Sequence, residues 1–325
     1  MGTKYEQTGR VASIKLEGYK GGGDPLLLRS MVGVDKVSQP FNYVVEMLCN
    51  PGVTIDYSKI IGFPLRIELD NPVAGSKRYF HGYVADLHYG SPTDYGLDVY
   101  QALVVPWFWF LKKSSNCRIF RSKTIQQILT AVFKSANSEF EGKFEFDLSS
   151  DYKECKFEHV VQYNETDFAF ASRLMEEHGI YYYFKYAGEK HGHKMVLIDA
   201  KGSQKDNPKA KKLTFTKHQV ASPEAEVFRW EHRHQLVSDA FLQTDFNFAG
   251  GDGKFLIKFE AKGADKQGAS FTKGSFSNHC YEAKFEEGVS KMHKQKAEKR
   301  TWTKVGIWPH VQELFWEEQI RGQGD

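Results

Sequence analysis

The sequence predicts a mainly β protein: two antiparallel β-rich domains, with an α+β insert between or beside them. Three observations lead to this fold class. Short strand-like segments joined by turns follow one another before residue 122, with no helical pattern among them. Two segments of helical periodicity come next, and β-type segments then resume. Aromatic residues make up 14% of the chain, a share that favours β structure.

The first β domain is predicted from six strand-like segments. Glycine, proline and asparagine lie between several of them and mark turns. The strictest alternation of apolar and polar residues is in 65–69, which predicts a half-buried strand. The six predicted strands are residues 11–17, 26–34, 41–47, 65–69, 78–87 and 97–105. Short strands in succession without intervening helices predict an antiparallel barrel or sandwich.

A dense apolar run, PWFWFL, follows at residues 106–111. It suits either a platform on which a ligand stacks or the packing between domains. Exposed aromatic patches of this size are rare on folded proteins. We therefore expect these side chains in the core or between domains.

The first helix of the insert is predicted to open at residues 122–124. An apolar stripe then recurs at helical spacing along one face. The stripe consists of Ile125, Ile128, Leu129, Val132 and Phe133. Asn137 and Ser138 are expected to end the helix.

The second helix is predicted within residues 159–185, HVVQYNETDFAFASRLMEEHGIYYYFK. A strand at 159–163 leads to Asn164 as the predicted N-terminal cap, with Asp167 at the third helical position. The predicted buried face consists of Phe168, Ala171, Leu174 and Met175. Gly179 can take the left-handed conformation that ends a helix. The aromatic run IYYYF after it predicts the next strand.

The remaining segments return to β structure. Further strands are predicted at residues 144–148, 194–199, 213–215, 226–235, 240–248 and 255–261. Residues 187–193 are predicted to be a hairpin loop. The lysine-rich residues 201–212 are predicted to be a solvated linker rather than a contact for an acidic partner. Residues 276–325 form a polar and aromatic tail, and the apolar residues within 301–319 are expected either to cover an open barrel edge or to belong to a frameshifted tail that stays partly disordered.

Composition excludes several classes of function. The 44 basic and 41 acidic residues give a net charge of +3, without the basic excess of a nucleic-acid binder. No apolar run approaches the roughly 18 residues that a membrane helix needs. The N-terminus lacks the apolar core of a secretory signal, so we expect folding in the cytoplasm. Four cysteines, Cys49, Cys117, Cys155 and Cys280, lack zinc-site spacing and are expected to act as reduced, small apolar residues.

Candidate chemical groups are few. His232 and His234 share one face of a predicted strand and would need a third metal ligand, such as Asp245 or His218. His191 and His193 form a second pair in a predicted glycine loop. Glu176 and Glu177 stand beside His178 but close a capped helix, where we expect them to face solvent. No hydrolase, dinucleotide-binding or phosphate-loop motif is present. We therefore predict no catalytic, cofactor-binding or metal-binding residue.

Several segments together resemble the N-terminal, phage-hub-like region of the VgrG spike proteins of the bacterial type VI secretion system. The resemblance covers about residues 11–262. The matching segments, in family order, are FNYVVE (41–46), RYFHGYV (78–84), VPWFWFL (105–111), CRIF (117–120), QYNETDF (162–168), EEHGIYY (176–182), FRW (228–230) and TDFNF (244–248). The second-helix segments are the most distinctive, and their common order makes the resemblance specific.

The resemblance implies two small antiparallel β-barrels of the phage tail hub type. The predicted domains are a first barrel (1–112), an α+β insert with two helices and a hairpin (113–212), second-barrel strands (213–275) and a divergent tail (276–325). It also implies a homotrimer that docks on a hexameric Hcp-like tube and contacts baseplate proteins and effectors. Relatives usually continue into an OB-fold and a needle, neither of which is expected within these 325 residues.

The resemblance implies a structural role without cofactors. Such a protein would be assembled in the cytoplasm into the secretion apparatus and then secreted without a signal peptide. Two alternatives stay open. One is the hub of a contractile phage tail or tail-like particle, and the other is a truncated remnant without function.

Overall fold

A computed structural model describes residues 5–19, 25–71, 76–94, 96–136, 140, 142–148, 152, 156–186 and 192–199. Farther along the chain it describes the backbone of five short strands within residues 214–281. Within these ranges the protein is mainly β, as the sequence predicted.

The first domain is a six-stranded antiparallel sheet with the strand order β1-β4-β5-β6-β3-β2. Its strands are β1 (Ala12–Leu16), β2 (Leu26–Val34), β3 (Asn42–Cys49), β4 (Pro64–Asn71), β5 (Ser76–Tyr89) and β6 (Asp98–Val105). A short 3-10 helix, Tyr57–Lys59, lies between β3 and β4. Burial alternates along β3 because successive side chains point to opposite faces of the sheet. All six predicted strands are confirmed.

The sheet curls until its first and last strands meet. The side-chain amide of Gln7 makes this link: its oxygen accepts from the backbone N–H of Ile14 at 2.8 Å and of Leu28 at 3.3 Å. Arg10 donates to the carbonyl oxygen of Leu28 at 3.0 Å. These bonds satisfy backbone groups of β1 and β2 that the sheet ladder leaves unpaired, which gives the domain its barrel-like form.

A 3-10 helix, Trp107–Lys113, joins the sheet to the insert. Trp107, Phe108 and Leu111 are buried. The Trp107 ring lies 5.4 Å from the ring of Phe133, and the Phe108 ring lies 4.9 Å from that of Phe168. The run at 106–111 is therefore core, as predicted, and not an exposed stacking platform.

The insert packs two helices against short sheets. Its elements are β7 (Ser115–Thr124), α1 (Ile125–Ala136), β8 (Lys143–Asp147), β9 (Lys156–Thr166), α2 (Asp167–Glu177), β10 (Tyr181–Tyr186) and β11 (His193–Ile198). One sheet has the order β10-β11-β8, in which β8 runs parallel to β11. Buried residues of the insert and of the first domain belong to one continuous core.

Helix α1 follows the prediction closely. All five residues of its apolar stripe are buried. Thr124 and Gln127 cap it reciprocally: the Gln127 N–H donates to Thr124 Oγ1 at 3.3 Å, and the Thr124 N–H donates to Gln127 Oε1 at 3.1 Å. The predicted end at Asn137 and Ser138 lies outside the described residues.

The start of α2 differs from the prediction. Asn164 is not the cap, because β9 continues to Thr166 and Asn164 sits within that strand at a φ of 48°. Thr166 caps the helix instead, and its hydroxyl accepts from the Ala169 N–H at 3.0 Å. The predicted face is also corrected at one position. Phe170 is fully buried and Phe168 only partly, so the buried face is rotated from the predicted one.

The end of α2 confirms the prediction. Gly179 has a φ of 65°, a conformation that costs glycine least. The Ile180 N–H reaches the Met175 carbonyl at 2.8 Å, and the Gly179 N–H reaches the Glu176 carbonyl at 3.2 Å. These two bonds form a Schellman motif, which directs the chain into the aromatic strand β10.

Strands β7 and β9 form a two-stranded antiparallel ribbon that the sequence did not predict in full. Only residues 159–163 were expected to be a strand. In the structure β9 extends over Lys156–Thr166, and β7 occupies the segment up to the start of α1. The polar β7 sequence SNCRIFRSKT lacks the apolar pattern that predicts a strand, because most of its side chains are exposed.

The C-terminal region contributes two small sheets. Strand β12 (Thr214–Phe215) pairs in parallel with β13 (Glu226–Val227), and β14 (Ala240–Phe246) lies between β15 (Leu256–Lys262) and β16 (Ser277–Tyr281). The predicted strands 240–248 and 255–261 are confirmed in most of their length. The linker 201–212 and most of the tail lie outside the described residues. The second complete barrel stays a prediction.

Candidate functional sites in the insert

His193 was predicted in a loop, but it begins β11 and is buried against the first domain. Its Nδ1 lies 3.0 Å from Nδ1 of His81 on β5. The backbone N–H of Trp107 donates to its Nε2 at 3.1 Å. Both ring nitrogens of His193 are thus engaged by the protein, which argues against His193 as a metal ligand. We call His81 and His193 the His pair.

The surroundings of the His pair disfavour a positive charge. His81 and His193 are only 9% and 3% exposed. Burial, with Arg66 and Lys143 nearby, lowers the pKa of His81 from 6.5 to about 4. Burial and the neighbouring His81 lower the pKa of His193 well below its usual value. Both imidazoles are therefore neutral at pH 7.

A second buried polar contact joins the same two layers. The hydroxyls of Tyr43 on β3 and Tyr186 on β10 are hydrogen-bonded to each other, and the Tyr43 hydroxyl also donates to Asp35 at 3.5 Å. Burial raises the pKa of the Asp35 carboxyl, and its bonds to both tyrosines partly oppose this shift. Polar contacts between sheet and insert thus fix how the two layers sit.

A buried carboxylate holds the ribbon to α2. Asp167 is 1% exposed. Its oxygens accept from Gln162 at 2.7 Å, from Asn116 at 3.1 and 3.2 Å, and from Arg118 at 3.2 Å. Its backbone N–H donates to the Ser114 carbonyl at 2.9 Å. The sequence showed this residue only as an acid in the first helical turn. Its partners come from both strands of the ribbon, and no local pattern reveals them.

The outer side of the ribbon exposes apolar side chains. Ile119 is 61% exposed, its cross-strand partner Val161 is 37% exposed, and Tyr163 is 78% exposed. We call these three residues the ribbon face. Within the described residues, β7 and β9 pair only with each other, so their outer edges are free of strand partners. Such edges and apolar side chains suit contact with another protein surface.

The other candidate residues either make ordinary packing and ion-pair contacts or lie outside the described residues. Glu177 lies 3.9 Å from Arg173, and His178 packs its ring against Phe157 at 4.9 Å. Glu176 is exposed, as predicted. Four candidates lie outside the described residues: His191, His218, His232 and His234. Of Asp245, only the backbone is described, as part of β14. The part of the chain with described side chains contains no group of three or more potential metal ligands.

The cysteines divide into two kinds. Cys49 is buried in the sheet, and burial raises the pKa of its thiol to about 11. Cys117 is a free thiol, as expected, but it is exposed rather than packed as a small apolar residue. Its sulfur accepts from the Asn164 N–H at 3.4 Å. Cys155 and the Cys280 side chain lie outside the described residues. Among the described helices, none is long and apolar enough to span a membrane.

Comparison with known proteins identifies the family. The family described as phage tail baseplate hub (GPD) matches residues 34–302. The chain belongs to this hub family. Among its relatives are type VI secretion system spike proteins of Pseudomonas aeruginosa. VgrG1b is 34% identical over 232 residues, which cover 70% of this chain and 29% of VgrG1b. VgrG1a is 32% identical, over 70% of this chain and 34% of that protein.

Solved structures agree with a hub fold. The E. coli c3393 protein, described as a component of the type VI secretion system, has a TM-score of 0.50 at 21% identity, covering 62% of this chain and 51% of that chain. A tail protein from Neisseria meningitidis has a TM-score of 0.51 at 11% identity, covering 89% and 76%. The hub chain spans about a third of the length of the spike relatives it matches.

Proposed function

We propose that this chain is a structural subunit at the base of a type VI secretion spike. The observation that carries the proposal is the hub-family match over residues 34–302, together with spike proteins as relatives at 34% identity. In this role three copies form a hub that docks on a hexameric Hcp-like tube. The hub carries the puncturing tip for effector delivery and contacts baseplate proteins. In this proposal it is assembled in the cytoplasm and leaves with the apparatus.

Symmetry is the reason for proposing this assembly. One curled antiparallel sheet forms the first domain, and in the proposed fold residues 213–275 belong to a second barrel. Two such barrels in each of three copies present a ring of six similar units, which matches a sixfold tube. The proposed role is non-enzymatic, because the matching family is described as a baseplate hub and the relatives as spike proteins. A purified sample that cleaves glycan or lipid, and loses that activity when a candidate acid is replaced, would end this part of the proposal.

The ribbon face is the surface that we propose for contact between copies. Its outward residues are apolar, while the Asp167 network fixes its inner side and so limits the conformational freedom lost on association. Replacing Ile119 by lysine places a charge in that contact and should lower the mass measured for the assembly in solution. Val11→Lys is the matched control, since Val11 is 64% exposed and lies on the first domain. Equal masses for both variants would remove the ribbon face from the interface.

Docking on the tube is tested by sedimentation with assembled Hcp-like tubes. The chain should pellet with the tubes and stay in solution without them. A chain that remains in solution in both cases contradicts the docking step. If the mass of the chain alone still corresponds to three copies, the trimer part of the proposal stands. The two parts of the proposal can therefore fail separately.

The hub of a contractile phage tail is the second candidate. The description of the matching family and the fold of the Neisseria tail protein favour it. The genes beside this one distinguish the two functions. Sheath, tube and membrane-complex genes support the secretion spike, whereas capsid and packaging genes support the phage. A truncated remnant would be a stable monomer that ignores the tube.

A further inference from the structure

The His pair joins two layers of the molecule that are far apart in sequence. His81 belongs to β5 of the first domain, and His193 begins β11 of the insert. Gly192, directly before His193, has a φ of 62°, and a Cβ there would come within 3.1 Å of the His81 ring. The chain therefore enters β11 in close contact with β5. Any change in the pair acts directly on the boundary between the two layers.

The hydrogen bonds fix where the protons of the neutral pair lie. The Trp107 N–H donates to Nε2 of His193, so that nitrogen is an acceptor and its proton must be on Nδ1. The His193 Nδ1–H then donates to His81 Nδ1 across 3.0 Å, which leaves the His81 proton on Nε2. Only one arrangement of protons satisfies every bond. This arrangement follows from the geometry alone, because a backbone N–H cannot act as an acceptor.

An added proton cannot be accommodated in this arrangement. On His81 Nδ1 it would point at the His193 N–H, and on His193 Nε2 it would point at the Trp107 N–H. Either position replaces an attractive hydrogen bond with two opposed donors in a buried site. A proton on the pair therefore favours separation of the rings.

The charged side chains around the pair do not compensate an added positive charge, although a hydrogen bond to the His81 backbone partly opposes the lowering of the His193 pKa. The charged groups that act on His81 are Arg66 from β4 and Lys143 from β8, both cations, which is consistent with the lowered pKa of His81. Arg66 itself lies 3.9 Å from Glu17. The other facing groups are the rings of Phe41, Tyr83 and Phe184, at 5.3, 5.9 and 5.7 Å from the His193 ring. The Asp35 carboxylate accepts from Tyr43.

We propose that the His pair is an acid-sensitive latch between the first domain and the insert: uptake of one proton separates β11 from β5 while the sheet β1–β6 stays folded. The latch is closed where both imidazoles are neutral, above the ordinary histidine range. The closed form loses stability as the pH falls below about 6.5, and the latch opens at lower pH, near the lowered pKa of the pair. Its action is independent of whether the chain works in a secretion spike or a phage tail.

The first test reads the protons directly in the full-length chain. Nitrogen-15 labelling of histidine distinguishes the tautomers by NMR. At pH 7 we expect the signals assigned to His193 to show its proton on Nδ1 and those assigned to His81 to show its proton on Nε2, and both imidazoles should remain neutral at pH 6. A protonated imidazole at either position at pH 6, or the opposite tautomers, overturns the proposal without any variant.

The second test follows the opening itself by hydrogen exchange, corrected for the pH dependence of the intrinsic rate. On acidification, amides of β11 and the Trp107 amide should lose protection before those of β3 and β6. Simultaneous loss in all four regions would mean global unfolding and contradict a latch.

His81→Gln keeps an acceptor for the His193 N–H but cannot be charged, so the pH midpoint of opening should fall by about one unit. His159→Gln, at an exposed position, is the control and should leave the midpoint unchanged. An unchanged midpoint in His81→Gln also overturns the proposal, and if that variant does not fold, the exchange pattern of the native chain decides.

Discussion

Replacing Asp167 by alanine tests whether the buried carboxylate holds the ribbon to α2. The substitution removes the acceptor for Gln162, Asn116 and Arg118 while keeping the helix start, since Thr166 remains the cap. Hydrogen bonds to a charged group contribute about 1.5–3 kcal/mol each. The two amide donors therefore account for about 3–6 kcal/mol, and the partly exposed Arg118 for less than about 1 kcal/mol.

Removing the carboxylate also relieves the cost of burying a charge, which offsets part of this loss. Gln162 keeps its bond to the Glu165 carbonyl at 3.1 Å, so it is not left wholly without a partner. We therefore expect Asp167→Ala to lower the free energy of unfolding by about 3 kcal/mol. The ribbon should lose protection from hydrogen exchange before the first domain does.

Urea unfolding followed by circular dichroism measures the change. The matched control is Glu145→Ala in the same insert, because the Glu145 carboxylate also forms an ion pair, with Lys194, but at an exposed site. That substitution should cost less than about 1 kcal/mol. If both variants unfold at the same urea concentration, the buried network does not stabilise the insert and the reasoning is refuted.

Three further predictions follow from the first domain and the exposed thiol. Acidification from pH 6.5 to 4 should lower the free energy of unfolding by about 3 kcal/mol through His81, because its lowered pKa makes the folded state bind fewer protons than the unfolded state. Urea midpoints across this range measure how steeply stability falls with pH, and the fall should be shallower in His81→Gln. An equal fall in that variant would contradict the assignment to His81. Gly82→Ala should destabilise the protein by about 1–3 kcal/mol, because the added Cβ would lie 2.6 Å from a β6 side chain and 2.9 Å from a β6 carbonyl. At Gly90 the nearest atom to an added Cβ is 3.5 Å away, so the control Gly90→Ala should melt close to the native chain. Equal melting temperatures for the two variants would count against the close packing at Gly82. A thiol reagent should label Cys117 in the native chain and Cys49 only after unfolding, as mass spectrometry of peptides would show; early labelling of Cys49 would contradict its burial.

Local patterns in the sequence were enough to predict most of the regular elements. The stripe of α1 and the glycine stop of α2 follow from helical periodicity and backbone freedom, which neighbouring residues determine. The six strands of the first domain follow from alternation and turn residues in the same way. The hub resemblance depended on the order of such segments, and the family match confirms it.

What the sequence could not predict depends on partners distant in the chain. Asn164 looked like a cap because the pairing of β9 with β7, which continues past it, is not a local property. His193 looked like a loop residue because its partner, His81, is 112 positions away. Asp167 looked like an ordinary acidic residue in the first turn of a helix, although its hydrogen-bond donors lie on two strands. Buried polar contacts of this kind follow from tertiary packing, and single-sequence patterns do not carry them.

The number of chains in the assembly tests the proposed hub most directly. Native mass spectrometry of the full chain, alone and with the Hcp-like tube protein, measures it. We expect a particle of three chains that forms a further complex when the tube protein is added. A stable monomer that ignores the tube protein would contradict the working hub and favour a remnant.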